Sequence, residues 1–232
     1  MGCAGQCAVF HENMKRSSAK KVLARMFAEA AGQIRHQSAM LSRLDSVGGD
    51  GDHGETMSRA MTVLENAVDI HSPKTASVIL LEAGWAVMNV DGGASSAILG
   101  AFVGGMGNVE MGEEFRAQNL ADGFESGLQA VMRQTRARIG DKTLMDALIP
   151  AIEAYRQAVE DGGSPQAAMT IAATSADAGA RSTTELVARQ GRARSFGERT
   201  LGNMDAGAAS IAILFAGFRD ALNSIDEGDS DV

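Results

Sequence analysis

Cysteine, proline and aromatic side chains are all scarce in this chain, and each shortage closes off a class of protein. Cys3 and Cys7 are the only cysteines among 232 residues, too few for a disulfide framework or an all-cysteine metal site. Only three prolines interrupt it. Aromatic residues make up 4% of the chain although 45% is hydrophobic, so Ala and Met carry much of the apolar content. Those are helix formers, whereas a sheet protein would lean on Val, Ile and aromatic residues. Basic charge is short as well. Against 29 Asp and Glu stand 21 Lys and Arg, a formal net charge of −8, which argues against nucleic acid or an anionic membrane as partner. The longest nearly unbroken apolar run, 206–218, has 13 residues, below the length of a bilayer span. No basic-then-apolar leader opens the chain, and a cytoplasmic protein is expected.

What is present is helical periodicity. Eight segments show it: about 17–44; from Gly54 to before Pro73; a third with Val78, Leu81, Trp85 and Met88 on one face; about 95–106; 113–138; a sixth with Leu144, Leu148, Ile152, Tyr155 and Val159; one opening at Ser164-Pro165; and a last with Ile211, Leu214, Phe215, Phe218 and Leu222. Ser before Pro at 164–165 reads as an N-cap followed by the first helical residue. No period-2 strand and no internal repeat is found. The expected fold is all-α, one domain over 17–224 between a flexible N-terminus (1–16) and an acidic, disordered tail (225–232).

Short connections make consecutive helices antiparallel neighbours, which sorts the loops between two ends. One end receives plain turns, "HSPK", "GNVEMGEE" and "EDGGSP". The other receives "LDSVGGDGDHG", "NVDGGASS", "IGDKT" and "RQGRARSFGERTLGNMDAGA", all rich in Gly, Asp, Ser or Arg. Each of these leads into a helix N-terminus, where unpaired N–H groups favour an anion. Asp45, Asp50 and Asp52 crowd three carboxylates into eight residues and call for a cation. All-oxygen ligands suit Mg²⁺, Mn²⁺ or Ca²⁺. An EF-hand fails, because counting from Asp50 puts Gly54 at the fifth position and Met61 at the twelfth. Residues 49–54 match G-x-G-x-x-G, but a helix precedes them where a dinucleotide fold has a strand. No G-x-x-x-x-G-K-[ST] occurs either, so a phosphate would be held through metal and backbone.

Taken singly, each feature has a plain alternative. Asp45 could end a helix and the Asp-Gly pairs could be solvated turns. His53 could be a surface residue or a donor to a phosphate oxygen. Asp91 and Ser95 fit a loop and an N-cap, and Asp141 or Thr143 fits a cap for the next helix. Arg192, Arg194 and Arg199 could be solvated charges.

From about residue 20 to 222 the chain resembles the L, nucleotide-binding, subunit of dihydroxyacetone kinase and the matching C-terminal domain of single-chain dihydroxyacetone kinases. "LDSVGGDGDHGETM", "GGAS", "GDKTLMDALIPA" and "GERTLGNMDAGA" carry the resemblance, in order and at similar spacing. It implies a barrel of eight antiparallel helices with the nucleotide and metal site on one rim. It implies that Asp45, Asp50 and Asp52 hold two Mg²⁺ ions bridging the phosphates of ATP or ADP. His53, Gly54, Glu55 and Thr56 match a phosphate-contacting run, and Ala94, Ser95 and Ser96 a second phosphate or ribose loop. Gly140 and Ile149 would line the adenine side, with Arg192 and the turn Asp205-Ala206-Gly207 closing over the nucleotide.

The partner implied is a K subunit that holds dihydroxyacetone while the phosphoryl group crosses the interface. Three departures stand out: Ser96 where Gly is usual, Arg194-Ser195-Phe196 for Ser-Tyr-Leu, and Ala206 for Pro. They leave the metal residues in place and open the acceptor to a tetrulose or another small ketose. The donor is either exchanging ATP or, with ADP as a fixed coenzyme, a phosphotransferase-system protein. A nucleotide-loaded regulatory subunit is the alternative outside catalysis, and homodimer formation is left open.

Overall fold

The computed structural model describes residues 17–228. The segment 1–16 with Cys3 and Cys7, and residues 229–232 of the acidic tail, lie outside the described residues. Nine α-helices are found among them: α1 (Ala19–His36), α2 (Ser38–Asp45), α3 (His53–Ala67), α4 (Ala76–Met88), α5 (Gly93–Met106), α6 (Ala117–Gln134), α7 (Met145–Glu160), α8 (Pro165–Ser182) and α9 (Ala206–Gly228). Two 3₁₀ segments, Thr183–Glu185 and Arg192–Thr200, lie between α8 and α9. The all-α expectation holds, and the one β-type pairing among the described residues is an isolated bridge between Ser18 and Glu114.

Each long helix packs on the next, and α9 packs back on α1 and α8, so the chain closes a circuit. Among the described residues most of the few aromatic rings have gone to the interior. Phe124 of α6 lies 6.0 Å from Phe102 of α5, 5.2 Å from Tyr155 of α7 and 5.5 Å from Phe215 of α9. One ring therefore ties four helices, in the offset or edge-on geometries aromatic pairs prefer. Elsewhere Ala and Gly bring backbones together. A Cβ on Gly84 of α4 would sit 2.3 Å from the Gly104 nitrogen of α5, and one on Gly217 of α9 would sit 2.4 Å from Ala30 Cα of α1. Pro150 inside α7 has no N–H for the Asp146 carbonyl, and α8 exploits the gap: a Cβ on Gly179 would lie 2.1 Å from that oxygen.

Three expectations need correcting. The first helix is two, with the break at Gln37 (φ −101°, ψ 8°) and no Pro or Gly to announce it. On α4 the four residues that mark the helical period are not the buried ones. Val78, Leu81, Trp85 and Met88 point outward, Trp85 being 68% exposed, while Ile79, Leu80, Ala83 and Val87 are buried. The last helix continues past residue 224 to Gly228, and Ile225 is buried. Residues 206–225 are long and apolar enough to cross a membrane by composition, but 67% of the apolar window is buried inside the fold, where the helix contributes to the core.

Candidate functional site

The Gly-, Asp- and Arg-rich loops do converge. They line one cavity of about 380 Å³, within the range of roughly 300–1,000 Å³ common for small-molecule sites. Asp45, Asp50, Asp52, His53, Ala94, Ser95, Arg192, Asp205, Ala206 and Gly207 are on its wall. Its floor is apolar, with Phe102, Val131, Leu148 and Leu214. Gly54, Glu55, Thr56, Ser96, Gly140 and Ile149 are not on the wall. Gly54 and Thr56 are buried in the first turn of α3, and Ile149 packs against the core. Ser96, 1% exposed, donates its hydroxyl to the carbonyls of Val90 and Gly93, so this departure braces the loop before α5 rather than facing a ligand.

The acidic loop is built by its glycines. The Asp45 carboxylate accepts from the Gly51 N–H at 2.8 Å, and its backbone carbonyl accepts from the Gly49 N–H at 2.6 Å. A Cβ at Gly49 would lie 2.3 Å from the Asp45 carboxylate, and one at Gly54 would lie 1.9 Å from the Ser38 carbonyl. Folded this way, the loop brings one carboxylate oxygen from each of Asp45, Asp50 and Asp52 within 4.8 Å of one another. The Arg192 guanidinium bonds to Asp50 and holds its carboxyl below the ordinary range. Asp52 is held above that range, first by lost hydration, then by the hydrogen bond and charge of Asp50, and by Asp45. Two of the three acids thus resist being charged together without a cation, and an all-carboxylate donor set fits a hard divalent ion.

Of the two readings the sequence left for His53, a surface residue or a donor to a phosphate oxygen, burial removes the first. The residue is 8% exposed, and both ring nitrogens are used within the protein. Nε2 lies 2.6 Å from Ser210 Oγ and Nδ1 3.1 Å from Ser95 Oγ. Ser210 already donates its proton to the Ala206 carbonyl at 3.0 Å. Its oxygen must then accept from Nε2–H, which leaves Nδ1 to accept from the Ser95 hydroxyl. Burial lowers the pKa of this imidazole, consistent with a neutral ring. His53 therefore stitches the N-terminal turns of α3, α5 and α9 together at the cavity mouth. Ser210 was invisible in the sequence, one polar residue inside the apolar run of the last helix.

The arginine-rich segment forms the facing wall. Gly191 at φ 66° starts the 3₁₀ stretch Arg192–Thr200, and Gly197 at φ 55° kinks it. Ala193 sits against the acidic loop so closely that a Cβ on Gly48 would be 2.7 Å from it. Phe196 is covered by Arg199, whose guanidinium carbon lies 5.0 Å from the ring centre. On the remaining side, Asp141 does not serve the start of α7, whereas the Thr143 hydroxyl oxygen accepts from the N–H of its first residue, Met145, at 3.2 Å. Leu144 occupies the cap position with no side-chain bond. Buried Asp146 instead reaches back, accepting from the Gly140 N–H at 2.5 Å and the Thr143 N–H at 2.7 Å. Lys142 is 4% exposed and donates to the carbonyls of Thr183 and Asn203. Asp205 caps α9, accepting from the Ala208 N–H at 2.8 Å, and burial pushes its carboxyl up to about 6. Neither Lys142 nor Asp146 carried a sequence signal beyond the motif around them.

Known proteins with this pattern can now be set beside it. Residues 47–220 match the DAK2 domain. The chain is 38% identical over 188 residues to an L-erythrulose kinase of Pectobacterium atrosepticum, covering 79% of this chain and 32% of that one. It is 31% identical to the ADP-binding subunit DhaL of the PEP-dependent dihydroxyacetone kinase of Escherichia coli, covering 77% of this chain and 85% of that subunit. It thus spans about a third of the length of the erythrulose kinases it matches, and most of the length of the DhaL subunit. Among solved structures, the dihydroxyacetone kinase of C. freundii in its native form superposes with a TM-score of 0.65 at 24% identity, over 88% of this chain and 35% of that one. The complex of that enzyme with AMP-PNP and Mg²⁺ gives 0.62 at 23%, over 85% and 33%. The chain belongs to the DAK2 domain family, among whose members are the DhaL-type subunits of dihydroxyacetone kinases.

Proposed function

We propose that this chain is the nucleotide-binding phosphotransferase subunit of a dihydroxyacetone kinase-type enzyme. It would hold ATP or ADP in the cavity and pass a phosphoryl group to a small ketose presented by a separate sugar-binding K subunit. The observation that carries this is the carboxylate cluster, three acids with ligand atoms within 4.8 Å of one another at the mouth of a cavity walled by helix N-termini. DhaL relatives named as ADP-binding, and a structural neighbour holding AMP-PNP and Mg²⁺, support the same reading.

Asp45, Asp50 and Asp52 would hold the metal, two Mg²⁺ ions in this proposal. Bound there, the ions supply positive charge to the phosphates and to the moving phosphoryl group. The rest falls to the chain's own groups. First-turn residues of α3, α5 and α9, namely His53, Ala94, Ser95, Ala206 and Gly207, lie on the cavity wall, and helix N-termini placed there would suit phosphate oxygens. His53 fixes the Ser95 hydroxyl in one rotamer by accepting its proton, so the Ser95 oxygen presents lone pairs, not a donor, toward the cavity. Arg192, paired with Asp50, lies where its guanidinium can turn from carboxylate to phosphate. The apolar floor suits a purine face and keeps water off the phosphates.

For the acceptor, a tetrulose such as erythrulose is favoured by the identity to erythrulose kinases, 38% and 36% against 31% for DhaL of Escherichia coli. The experiment is to denature the purified protein, identify any released nucleotide, and measure Mg²⁺-dependent exchange of labelled ATP with Asp50→Ala as control. Retained ADP that fails to exchange indicates the phosphotransferase-system form, in which ADP is a fixed coenzyme. Ready exchange indicates an ATP-dependent kinase. No nucleotide with or without Mg²⁺ rejects the proposal.

A further inference from the structure

Lys142 is a buried cation that the proposed chemistry does not use, and its surroundings are unusual. Among the described residues it is the one non-glycine with positive φ, 61°, a conformation side chains adopt reluctantly. At 4% exposure its ammonium has been taken out of water. The compensation comes from two backbone carbonyls distant in sequence, Thr183 after α8 and Asn203 before α9. Thr183, 0% exposed, is a junction: its carbonyl receives Lys142, its hydroxyl donates to the Ala180 carbonyl at 2.5 Å, and its Oγ1 accepts from the Asp205 N–H at 2.9 Å. Asp205 in turn caps α9, one turn before Ser210 and the His53 bridge. Lys142, Asn203 and Asp205 all border the cavity.

We propose that Lys142 is a positioning residue for ligand binding: its ammonium braces the 140–143 loop against the Thr183 and Asn203 carbonyls, and so holds Asp205, as a carboxylate, at the start of α9 on the cavity wall. The strained backbone is the condition for this reach, because it turns the side chain inward from a loop whose neighbours Asp141 and Ile139 face outward. The groups acting on the Asp205 carboxyl come from four elements. Ala208 N–H of α9 and the Lys142 charge favour its ionised form, while Asp146 of α7, Asp45 of α2 and its own burial oppose it. Lys142 is the single cation in that set. Its removal loosens the 203–205 return and also leaves Asp205 with only acidic neighbours.

The claim that this matters for nucleotide rests on the function proposed above, and the test separates the two. ADP affinity in the presence of Mg²⁺ is measured by calorimetry from pH 5.5 to 8.5 for the wild type, Lys142→Met, Lys142→Arg and Thr183→Val. In parallel the Asp205 carboxyl carbon is titrated by NMR in ligand-free protein. Lys142→Met is expected to weaken ADP about tenfold or more at neutral pH. Its affinity should also begin to fall at a higher pH than the wild type's, because Asp205 takes up its proton earlier. Lys142→Arg keeps the charge and should keep the wild-type pH profile. Thr183→Val keeps both charge and carbonyl, removes the hydroxyl that accepts from the Asp205 N–H and donates to the Ala180 carbonyl, and should lower affinity with the profile unmoved. An Asp205 titration unchanged in Lys142→Met, or an affinity loss with no shift in the profile, overturns the proposal. Wild type that binds no ADP rejects the proposed function, and the NMR titration still decides whether Lys142 sets the state of Asp205.

Discussion

Two Gly-Asp loops at the same end of this molecule look alike in sequence and behave as opposites. In the 140–146 loop both carboxylates are spent on the protein: Asp146 takes two backbone N–H groups at 2.5 and 2.7 Å, and Asp141 takes the Arg138 N–H at 2.9 Å. In the 45–52 loop carboxylates face one another, with Arg192 on one of them and Asp52 pushed toward its neutral form by lost hydration and its neighbours. Carboxylates that accept backbone N–H groups stabilise the loop that carries them, whereas carboxylates that face each other cost stability and are useful only once a cation joins them. The comparison separates architecture from site more cleanly than any motif does.

The sharpest break of that contrast is Asp52→Asn. It should lower Mg²⁺-dependent nucleotide affinity by on the order of a thousandfold, about 4 kcal/mol, while leaving urea stability within about 0.5 kcal/mol of wild type or raising it. Calorimetry and chemical denaturation on the same preparation check both halves. Asp146→Ala is the opposite case. Two half-buried N–H groups lose their acceptor, and stability should fall by about 1–2 kcal/mol, read as a lower urea midpoint at unchanged slope.

Asp205 gives a pH signature of reversed sign. Its folded carboxyl titrates near 6, above the ordinary 3.8, so between those values the folded state binds the proton more tightly than the unfolded one. Its contribution to stability therefore falls as pH rises through that window, by up to ~3 kcal/mol, and is level above it. Asp205→Asn, which can still cap α9, should flatten the slope in denaturation curves between pH 4 and 6. The smallest effect is expected from Gly48→Ala. Its new methyl would meet Ala193 at 2.7 Å and displace the arginine-rich wall, costing about 1 kcal/mol and a few-fold in nucleotide affinity.

How much of this was legible beforehand follows from locality. Helices stabilised by their own amphipathic period, such as α7 with Leu148, Ile152 and Tyr155, were readable, as was the Ser164 cap, whose hydroxyl accepts from the Ala167 N–H at 3.1 Å. The outward face of α4 was not, because that helix is apolar almost all round and small residues, Ala83 and Gly84, decide which side meets α5. The break at Gln37 answers a distant contact, since Gly54 sits against the Ser38 carbonyl and its N–H donates to Ser42 Oγ at 3.2 Å. In the site, the carboxylate cluster was legible because its members lie within eight residues. The Ser95–His53–Ser210 bridge and the Lys142 brace join residues 41 to 157 positions apart and only exist once the fold is closed.

The central claim is that the Asp45–Asp50–Asp52 loop is a cation site completed by nucleotide. Titrating Mn²⁺ into the protein with and without ADP, followed by electron paramagnetic resonance, tests it directly. The account predicts Mn²⁺ binding that ADP tightens in the wild type and that Asp52→Asn removes, with Asp146→Asn, where it folds, still binding. Mn²⁺ binding equal in wild type and Asp52→Asn, or none in wild type with ADP present, would contradict it.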